Sequence, residues 1–277
     1  MEIVVADVAP RHGAPAAASH PKVRYLPVDE DSHFGQARGA AFRRSSGEFV
    51  ASLEDHCYAE PEWAEAVLRA FREPGVDLVN YAMSNANSGG YVSETFMMAQ
   101  YGRWMHPAST GYVPISACNN VAYRRSCLTT WWDEMDELLE TECHLHRRLQ
   151  DRGSKVWLAG RARVQHETWE RLSDGLRANN AMKRLLACRR AAAGRWSRLR
   201  RLLYCAAMPL TSVLHLWRLG VSLIRRPALW PLFVKSLPLC VLVYTTGSFT
   251  EAQGYLFGAG ESRTLFRDME ISISRVR

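Results

Sequence analysis

The stretch GEFVASLEDH, residues 47–56, places two acids and a histidine directly after a short hydrophobic segment. Residues 48–53 predict a β-strand, so Glu54, Asp55 and His56 fall at its carboxyl end. Turns after strands usually carry Gly, Asn, Asp or Pro for conformational reasons. Carboxylate and imidazole groups instead suit divalent cations such as Mg²⁺ or Mn²⁺. The triplet therefore indicates a metal site, although taken alone it also fits a solvated acidic strand end.

Strands and helices alternate around this stretch over the first 165 residues. The predicted elements are strands at residues 2–7, 23–28 and 76–82, with helices at Phe34–Arg44 and residues 63–71. Such alternation predicts an α/β fold with a mostly parallel sheet flanked by helices. Ligands bind at the carboxyl ends of the strands in sheets of this kind. Asp7 and the triplet both lie at such ends, which makes them candidate ligand-binding residues.

The following segment, residues 85–112, is rich in Gly, Ser, Met and aromatic residues and has no clear period. It is interpreted as a long substrate loop. A helix over residues 137–153 and strands over residues 155–160 and 162–166 complete the predicted α/β part.

Composition excludes several classes of protein. Apolar residues make up 47% of the chain, which argues against a disordered protein. The seven cysteines are scattered without a CxxC pair, so neither a disulfide scaffold nor a zinc ribbon is expected and a reducing compartment is favoured. The first residues lack the basic and apolar regions of a signal peptide.

Charge divides the chain into two parts. No acidic residue occurs between Asp174 and Glu251, whereas this window holds 13 Lys and Arg. The net charge of the whole chain is only +7. The rest of the chain is therefore net acidic. A basic region of this kind predicts an anionic partner, either nucleic acid or a phospholipid surface. Nucleic acid is disfavoured, because the arginines alternate with Leu, Val and Ile rather than with exposed aromatic residues.

Two apolar segments in the basic region, residues 202–224 and 228–247, are long enough to span a bilayer. The first contains His215 and Arg218, and the second contains Lys235, so spanning is energetically unfavourable. Interfacial insertion with arginines on the lipid headgroups is an alternative. A second alternative is that these segments form a buried helical subdomain. We expect peripheral attachment or one or two membrane segments.

The order of motifs resembles a known family. The chain reads EIVVAD, then GQARGAAFRRSSGEFVASLEDHCYAEPEWAEAVL, then CNNVAYRR, ETECHLHRRLQDRG and ARVQH. This order is similar to the inverting family-2-type glycosyltransferases, whose GT-A fold binds a nucleotide sugar, over about residues 2–170. The resemblance implies a nucleotide-sugar domain at residues 1–170, a basic, apolar membrane-associated helical region at 171–262 and a tail at 263–277.

Roles carried over from the family apply residue by residue. The resemblance implies that Asp7, Arg38, Glu54 and Asp55 bind the nucleotide sugar, that Asp55, His56 and His166 hold Mn²⁺ or Mg²⁺, and that Glu142 is the general base. The expected activity is transfer of a sugar, with inversion, from a nucleoside diphosphate to a glycan or lipid-linked acceptor. This activity would take place at the cytoplasmic face of a membrane, in polysaccharide biosynthesis. Each residue also has a purely structural interpretation, as a solvated charge or a strand-end histidine.

Three departures from the family pattern favour an alternative function. The acidic triplet reads Glu-Asp-His instead of DDD, and Glu142 follows Thr141 where the family has Glu-Asp. The family's first strand and first helix have no counterpart, so the sequence predicts an N-terminally truncated domain. The alternative function is that of a catalytically inactive, membrane-associated subunit.

Overall fold

The structure is a computed structural model that describes residues 1–8 and 16–275. Its strands are β1 (Ile3–Asp7), β2 (Val23–Pro27), β3 (Phe49–Ala51), β4 (Cys57–Ala59), β5 (Val76–Asn85), β6 (Gly111–Val113), β7 (Val121–Arg124) and β8 (Lys155–His166). Its helices are α1 (Phe34–Arg44), α2 (Trp63–Ala70), α3 (Tyr91–Tyr101), α4 (Arg125–Leu128), α5 (Met135–Leu138), α6 (Cys143–Asp151), α7 (Leu172–Ala193), α8 (Arg198–Ala206), α9 (Met208–Leu223), α10 (Trp230–Phe257) and α11 (Ser262–Arg275). Residues 276–277 of the predicted tail lie outside the described residues.

The chain divides into two compact units that alternate along the sequence. The first unit comprises Met1–Glu54, Ala64–Asn80 and Gly111–Ala159, and the second comprises Asp55–Trp63, Tyr81–Thr110 and Gly160–Arg277. Both units therefore contain segments from the first 170 residues. The domain boundaries expected at residues 170 and 262 remain predictions.

The first unit contains two sheets. Strands β1 and β2 form a parallel pair of their own, in which Ile3 lies opposite Val23. The other strands of this unit have the order β3-β7-β5-β8, with β6 beside β8. Among the described residues no strand joins β1 to β3, the two strands between which the family's missing first strand would lie. Asp7 and Glu54 consequently lie at the ends of strands in different sheets.

Directions within the larger sheet are mixed rather than mostly parallel. Strand β7 is antiparallel to both β3 and β5, so β3 and β5 run the same way. Strand β8 shares that direction, because the N–H of Lys155 donates to the Gly75 carbonyl near the start of β5 and β8. Strand β6 runs against β8. Strand–helix alternation predicted the common direction of β3 and β5, but it could not show that a later strand lies between them.

Helix α1 packs closely against α5 through two glycines. A Cβ at Gly35 would collide with the backbone carbonyl of Asp136 and the backbone N–H of Glu140, and a Cβ at Gly39 would collide with the Asp136 side chain. The bounds of α1 are those that the sequence predicted. Its position is therefore fixed by the absence of two side chains on one face.

Two predicted elements differ from the structure. The predicted loop over residues 85–112 contains α3, in which Phe96, Met97 and Met98 are all buried along with polar Ser93 and Thr95. A helix buried on most sides has no amphipathic period, so the pattern was missed. The predicted helix over residues 137–153 is broken into α5 and α6, and the two predicted strands after it are one strand, β8.

Helices dominate the second unit. Helix α10 packs along α7, where a Cβ at Gly254 would collide with the Arg184 carbonyl. One buried cluster joins α3, α7 and α10, and its members are Phe96, Trp169, Ala178, Leu239 and Val243. Strand β4 pairs antiparallel with β8 in this unit, which also contains the end of β5, so that the order is β5-β8-β4. None of the seven cysteines, all of which lie in the described part of the chain, forms a disulfide bond.

Candidate active site

Glu54 has hydrogen-bond donors on both oxygens of its carboxylate. Asn119 Nδ2 donates to Oε1 over 2.7 Å, and Asn120 Nδ2 donates to Oε2 over 2.6 Å. Arg38 Nη2 lies 3.3 Å from Oε1. The Glu54 backbone N–H in turn donates to Asn120 Oδ1 over 3.1 Å. These contacts fix the direction of the carboxylate just beyond β3, and they show what holds the first acid of the predicted triplet.

The backbone conformation of the two asparagines makes this arrangement possible. Asn119 and Asn120 have φ values of 59° and 40°. Asn tolerates the left-handed region better than most residues other than Gly. Two successive residues in this conformation turn the chain just before β7, and both amide groups donate to Glu54.

Arg38 connects two carboxylates of the first unit. Helix α1 begins with a capping box, in which His33 Nδ1 accepts the Gln36 N–H and Gln36 Oε1 accepts the His33 N–H. Arg38 follows in the second turn, where Nη2 pairs with Glu54 and Nη1 lies 3.5 Å from Glu142 Oε1. The cap therefore defines the helix start that places this guanidinium between the two acids.

Glu142 is completely buried at the amino end of α6. Its Oε2 accepts the Asn119 backbone N–H over 2.8 Å and the Tyr123 hydroxyl over 3.0 Å. The Tyr123 oxygen also lies 2.8 Å from His146 Nε2. Because Tyr123 donates its proton to Glu142, its oxygen accepts a proton from Nε2 of a neutral His146. These contacts also account for the break between α5 and α6, since they hold Glu142 at φ 3° and ψ −27°.

Burial shifts the pKa values of this buried group of residues. Burial raises the pKa of Glu142 above its ordinary value, while Arg38 and the Tyr123 hydroxyl act in the opposite direction. Burial lowers the pKa of His146 to about 3 and raises that of Tyr123. His146 is therefore neutral at pH 7, as its hydrogen bond requires.

The second unit brings together the predicted metal ligands His56 and His166. Their rings are 4.7 Å apart and nearly perpendicular, and both side chains are buried. His56 Nδ1 lies 3.0 Å from Asp55 Oδ1, and His166 Nε2 lies 3.1 Å from the Tyr101 hydroxyl. A metal-binding imidazole commonly has its other ring nitrogen on a carboxylate or other polar group. The atoms suited to a metal are therefore His56 Nε2 and His166 Nδ1.

Carboxylates accompany this histidine pair. Glu270 of α11 has Oε2 3.9 Å from His56 Nε2. The Asp55 side chain is 70% exposed and contacts the opposite nitrogen of the His56 ring. Two imidazoles with neighbouring carboxylates form a donor set that fits Mn²⁺ better than Mg²⁺. The three predicted ligands thus lie together, with Asp55 orienting His56.

Asp7 has a different environment. Its Oδ2 accepts the Tyr25 hydroxyl over 2.8 Å, across the β1–β2 pair. The contact lies at the carboxyl end of this small sheet, as the sequence predicted for Asp7.

Sequence reasoning missed four residues that contact the predicted site residues. Asn119, Asn120, Tyr123 and His146 were not assigned a role. The consecutive asparagines before a hydrophobic strand were a usable signal, because such pairs often adopt positive φ. Nothing in the sequence pairs Tyr123 with His146, since only the fold brings β7 and α6 together.

Comparison with known families assigns the N-terminal part of the chain. Residues 2–128 match the model of glycosyl transferase family 2. This segment, somewhat less than half of the chain, is therefore similar to the glycosyltransferases of family 2. Arg38, Glu54 and the asparagine pair lie within it, whereas Glu142 and His166 lie beyond its end. The family supports a role in glycosyl transfer and suggests a nucleotide-sugar donor and a glycan acceptor.

The other comparisons add little to this assignment. No curated protein matches the chain. Among solved structures, the crystal structure of S. aureus TarS 1-349 is similar with 12% sequence identity and a TM-score of 0.39, over 92% of this chain and 74% of that one. A similarity at this level carries no argument about function. The assignment therefore rests on the family match.

Proposed function

We propose that the chain transfers a sugar, with inversion, from a nucleoside diphosphate to a hydroxyl of a glycan or lipid-linked acceptor. The observation that carries this proposal is the contact of Arg38, Asn119 and Asn120 with Glu54 inside the matched family 2 segment. An acid held by three donors at a strand end is positioned rather than free to rotate, as a binding site requires.

The donor nucleotide is assigned to the first unit. Asp7 and Glu54 supply carboxylates for hydroxyl or base N–H groups, and Arg38 supplies a fixed guanidinium for phosphate oxygens. The expected contact of Asp55 with the nucleotide sugar stays a prediction, because this residue belongs to the second unit. The Arg38 guanidinium pairs with Glu54 and Glu142, so these two carboxylates fix its orientation.

A divalent cation is assigned to His56 and His166, with Asp55 orienting His56. The buried pair of imidazoles, each with its second nitrogen on a polar partner, is a donor set suited to Mn²⁺. A metal bound there would neutralise charge on a leaving diphosphate. The residues of the chain hold the imidazoles in a fixed orientation.

Glu142 is assigned as the general base that accepts the proton of the acceptor hydroxyl. A raised pKa suits this role, because a base works best when its pKa lies near the working pH. Its two donors, Tyr123 and the Asn119 N–H, fix the carboxylate. Attack on the face opposite the leaving group inverts the anomeric carbon.

The C-terminal helices are assigned to a membrane surface at its cytoplasmic face. Within residues 1–8 and 16–275, one helical stretch, Pro227–Phe257, is long and apolar enough to cross a bilayer, and α8 and α9 are so only if the bent pair is taken as one span. The 13 Lys and Arg of this region favour anionic lipid.

The test is metal-dependent turnover of nucleotide sugars. Detergent-extracted protein is incubated with UDP-, GDP- and dTDP-sugars in Mn²⁺ or in EDTA, beside Asp55→Ala and the matched control Asp151→Ala, an exposed acid. Release of one nucleoside diphosphate that is lost with EDTA and in Asp55→Ala, but kept in Asp151→Ala, is expected. Release that is insensitive to both would overturn the metal assignment.

A second candidate function is favoured by the complete burial of Glu142. A carboxylate without access to solvent cannot reach an acceptor hydroxyl in this conformation. The alternative is a non-catalytic subunit that binds nucleotide sugar at a membrane. Donor binding in calorimetry without any turnover, in the presence of Mn²⁺ and acceptor glycans, would establish this alternative.

A further inference from the structure

Helix α9 exposes a continuous apolar stripe. Its large exposed side chains recur at the spacing of one helix face, and they are Leu210, Val213, Leu214, Trp217 and Val221, followed by Ile224 just beyond the helix. The opposite face is packed within the second unit and includes polar Ser212, whose hydroxyl contacts Ser248 and the Tyr244 carbonyl. Helix α9 therefore departs from the usual surface helix, because its outward face is apolar as well as the buried face that carries Met208, Leu219 and Leu223.

Helix α8 continues this surface. None of its residues is buried, and Leu199, Leu202 and Leu203 are exposed at a spacing of three and four residues. The other side of α8 packs against α10 and carries Cys205, whose thiol contacts the Ala252 carbonyl. We call the exposed apolar residues of α8 and α9 the apolar stripe.

Cations border the apolar stripe. Arg198, Arg200 and Arg225 are exposed beside it. The Arg200 guanidinium lies 4.4 Å from the Trp196 ring centroid. No acidic residue occurs from residue 175 to residue 250 of the chain. An exposed apolar surface with a rim of arginines is complementary to an anionic phospholipid interface, where Trp also prefers to lie.

Three observations favour a position in the plane of the membrane over spanning. Helices α8 and α9 meet at an angle of 60°, so they do not form one straight span. Buried Arg226, just after α9, donates to the Gly102 carbonyl over 2.8 Å and to the Met105 carbonyl over 3.0 Å, which ties this end to the protein. Helix α10 has Glu251 buried against Arg190 of α7 at 3.2 Å. A span that included Glu251 would place this acid and its partner helix in hydrocarbon.

We propose that the apolar stripe and its bordering arginines bind an anionic phospholipid surface in the plane of the interface. The proposal deepens the membrane assignment of the proposed function by naming the surface and its mode of binding. Glycosyl transfer does not depend on it, because no stripe residue belongs to the assigned donor or metal site.

The experiment is co-sedimentation of the full chain with vesicles of phosphatidylcholine alone or with phosphatidylglycerol. The double variant Leu210→Ser, Trp217→Ser removes two side chains that are 71% and 63% exposed, so folding is preserved. We expect its partition coefficient to fall at least about tenfold on mixed vesicles. The matched control Leu68→Ser, an exposed leucine of α2, should bind like the parent protein.

Charge is tested separately with Arg198→Gln, Arg200→Gln and Arg225→Gln. Each change should weaken binding to the anionic vesicles by about fivefold and leave binding to phosphatidylcholine unchanged. Alkaline carbonate should release the parent protein from the vesicles, as it releases peripheral proteins.

Three results would overturn the proposal. They are equal binding by the stripe variant and its parent, resistance of the parent to carbonate, and a dimer in analytical ultracentrifugation that the stripe variant abolishes. The last result would identify a second copy of the chain as the occupant. Donor hydrolysis is measured on the same variants without vesicles, so loss of turnover, which concerns the proposed function, is distinguished from loss of lipid binding.

Discussion

Glu54 makes the number of hydrogen bonds expected of a structural residue, although it belongs to a predicted metal-binding triplet. Its side chain is largely buried and accepts from Asn119, Asn120 and Arg38. Such a carboxylate positions its donors as much as they position it, because each donor would lose its partner if the charge were removed. At the residue scale, Glu54 therefore links β3, α1 and the turn before β7.

Replacing Glu54 by Gln tests this link. The substitution removes the charge that Arg38 pairs with and sets an amide N–H₂ against an asparagine N–H₂. We expect the free energy of unfolding to fall by about 2 kcal/mol, the usual effect of losing a hydrogen bond to a charged group. Urea denaturation measures it. The control Glu137→Gln changes an exposed carboxylate and should stay within about 0.5 kcal/mol of the parent; an equal effect in both variants would contradict the prediction.

His146 makes stability depend on pH. Its pKa is lowered to about 3 in the folded protein, from an ordinary value of 6.5, because burial disfavours the charged ring. A depressed pKa stabilises the folded state above pH 6.5, and this contribution is lost as pH falls toward 3. We expect the free energy of unfolding of the parent to fall by about 1.4 kcal/mol per pH unit below pH 6.5, relative to His146→Gln. Urea denaturation from pH 5 to 8 gives the difference, and parallel profiles would refute it.

At the scale of elements, α1 and α10 both depend on glycines for their positions. Gly35 lets α1 approach the α5 backbone, and Gly254 lets α10 approach α7. Helix propensity alone would favour Ala at these positions. The glycines therefore mark contacts that outweigh local preference.

The substitution Gly35→Ala should lower the free energy of unfolding by about 1 to 3 kcal/mol, the range for overpacked sites. The added Cβ meets backbone atoms of Asp136 and Glu140, which cannot rotate away. Gly220→Ala is the matched control, because only the tip of Phe233 lies near its Cβ, at 3.8 Å. We expect this control to be as stable as the parent or more stable by up to about 1 kcal/mol. Thermal or urea unfolding compares the two, and a stabilised Gly35→Ala would contradict the α1–α5 packing.

How accurately the sequence predicted each element depends on how that element is packed. The bounds of α1 match because its apolar face has a regular period and its start has a cap. Helix α3 was missed because its buried residues occupy most of its sides. The break before α6 was missed because contacts of Glu142 with Asn119 and Tyr123 produce it. These contacts join residues about 20 positions apart, beyond the reach of local pattern.

At the scale of the whole molecule, metal binding should couple to unfolding. A ligand that binds only the folded chain stabilises it by about 2.7 kcal/mol at a concentration 100 times its Kd. We therefore expect Mn²⁺ to raise the Tm of the parent, and EDTA to reverse the change. His166→Ala should lose the response, whereas His106→Ala, at an exposed histidine, should keep it. A Tm shift that persists in His166→Ala would place the metal elsewhere.

The sequence by itself determined the similarity of residues 2–128 to family 2, the position of Glu54, Asp55 and His56 after a strand, and the basic segment 175–250 without acids. These features follow from residue order, strand period and composition, which are local properties. Only the tertiary structure decided that β7 lies between β3 and β5, that Asn119 and Asn120 hold Glu54, and that the apolar stripe points outward. Each of these depends on which distant segments pack together, because burial is set by the partners that a segment finds and not by its own pattern.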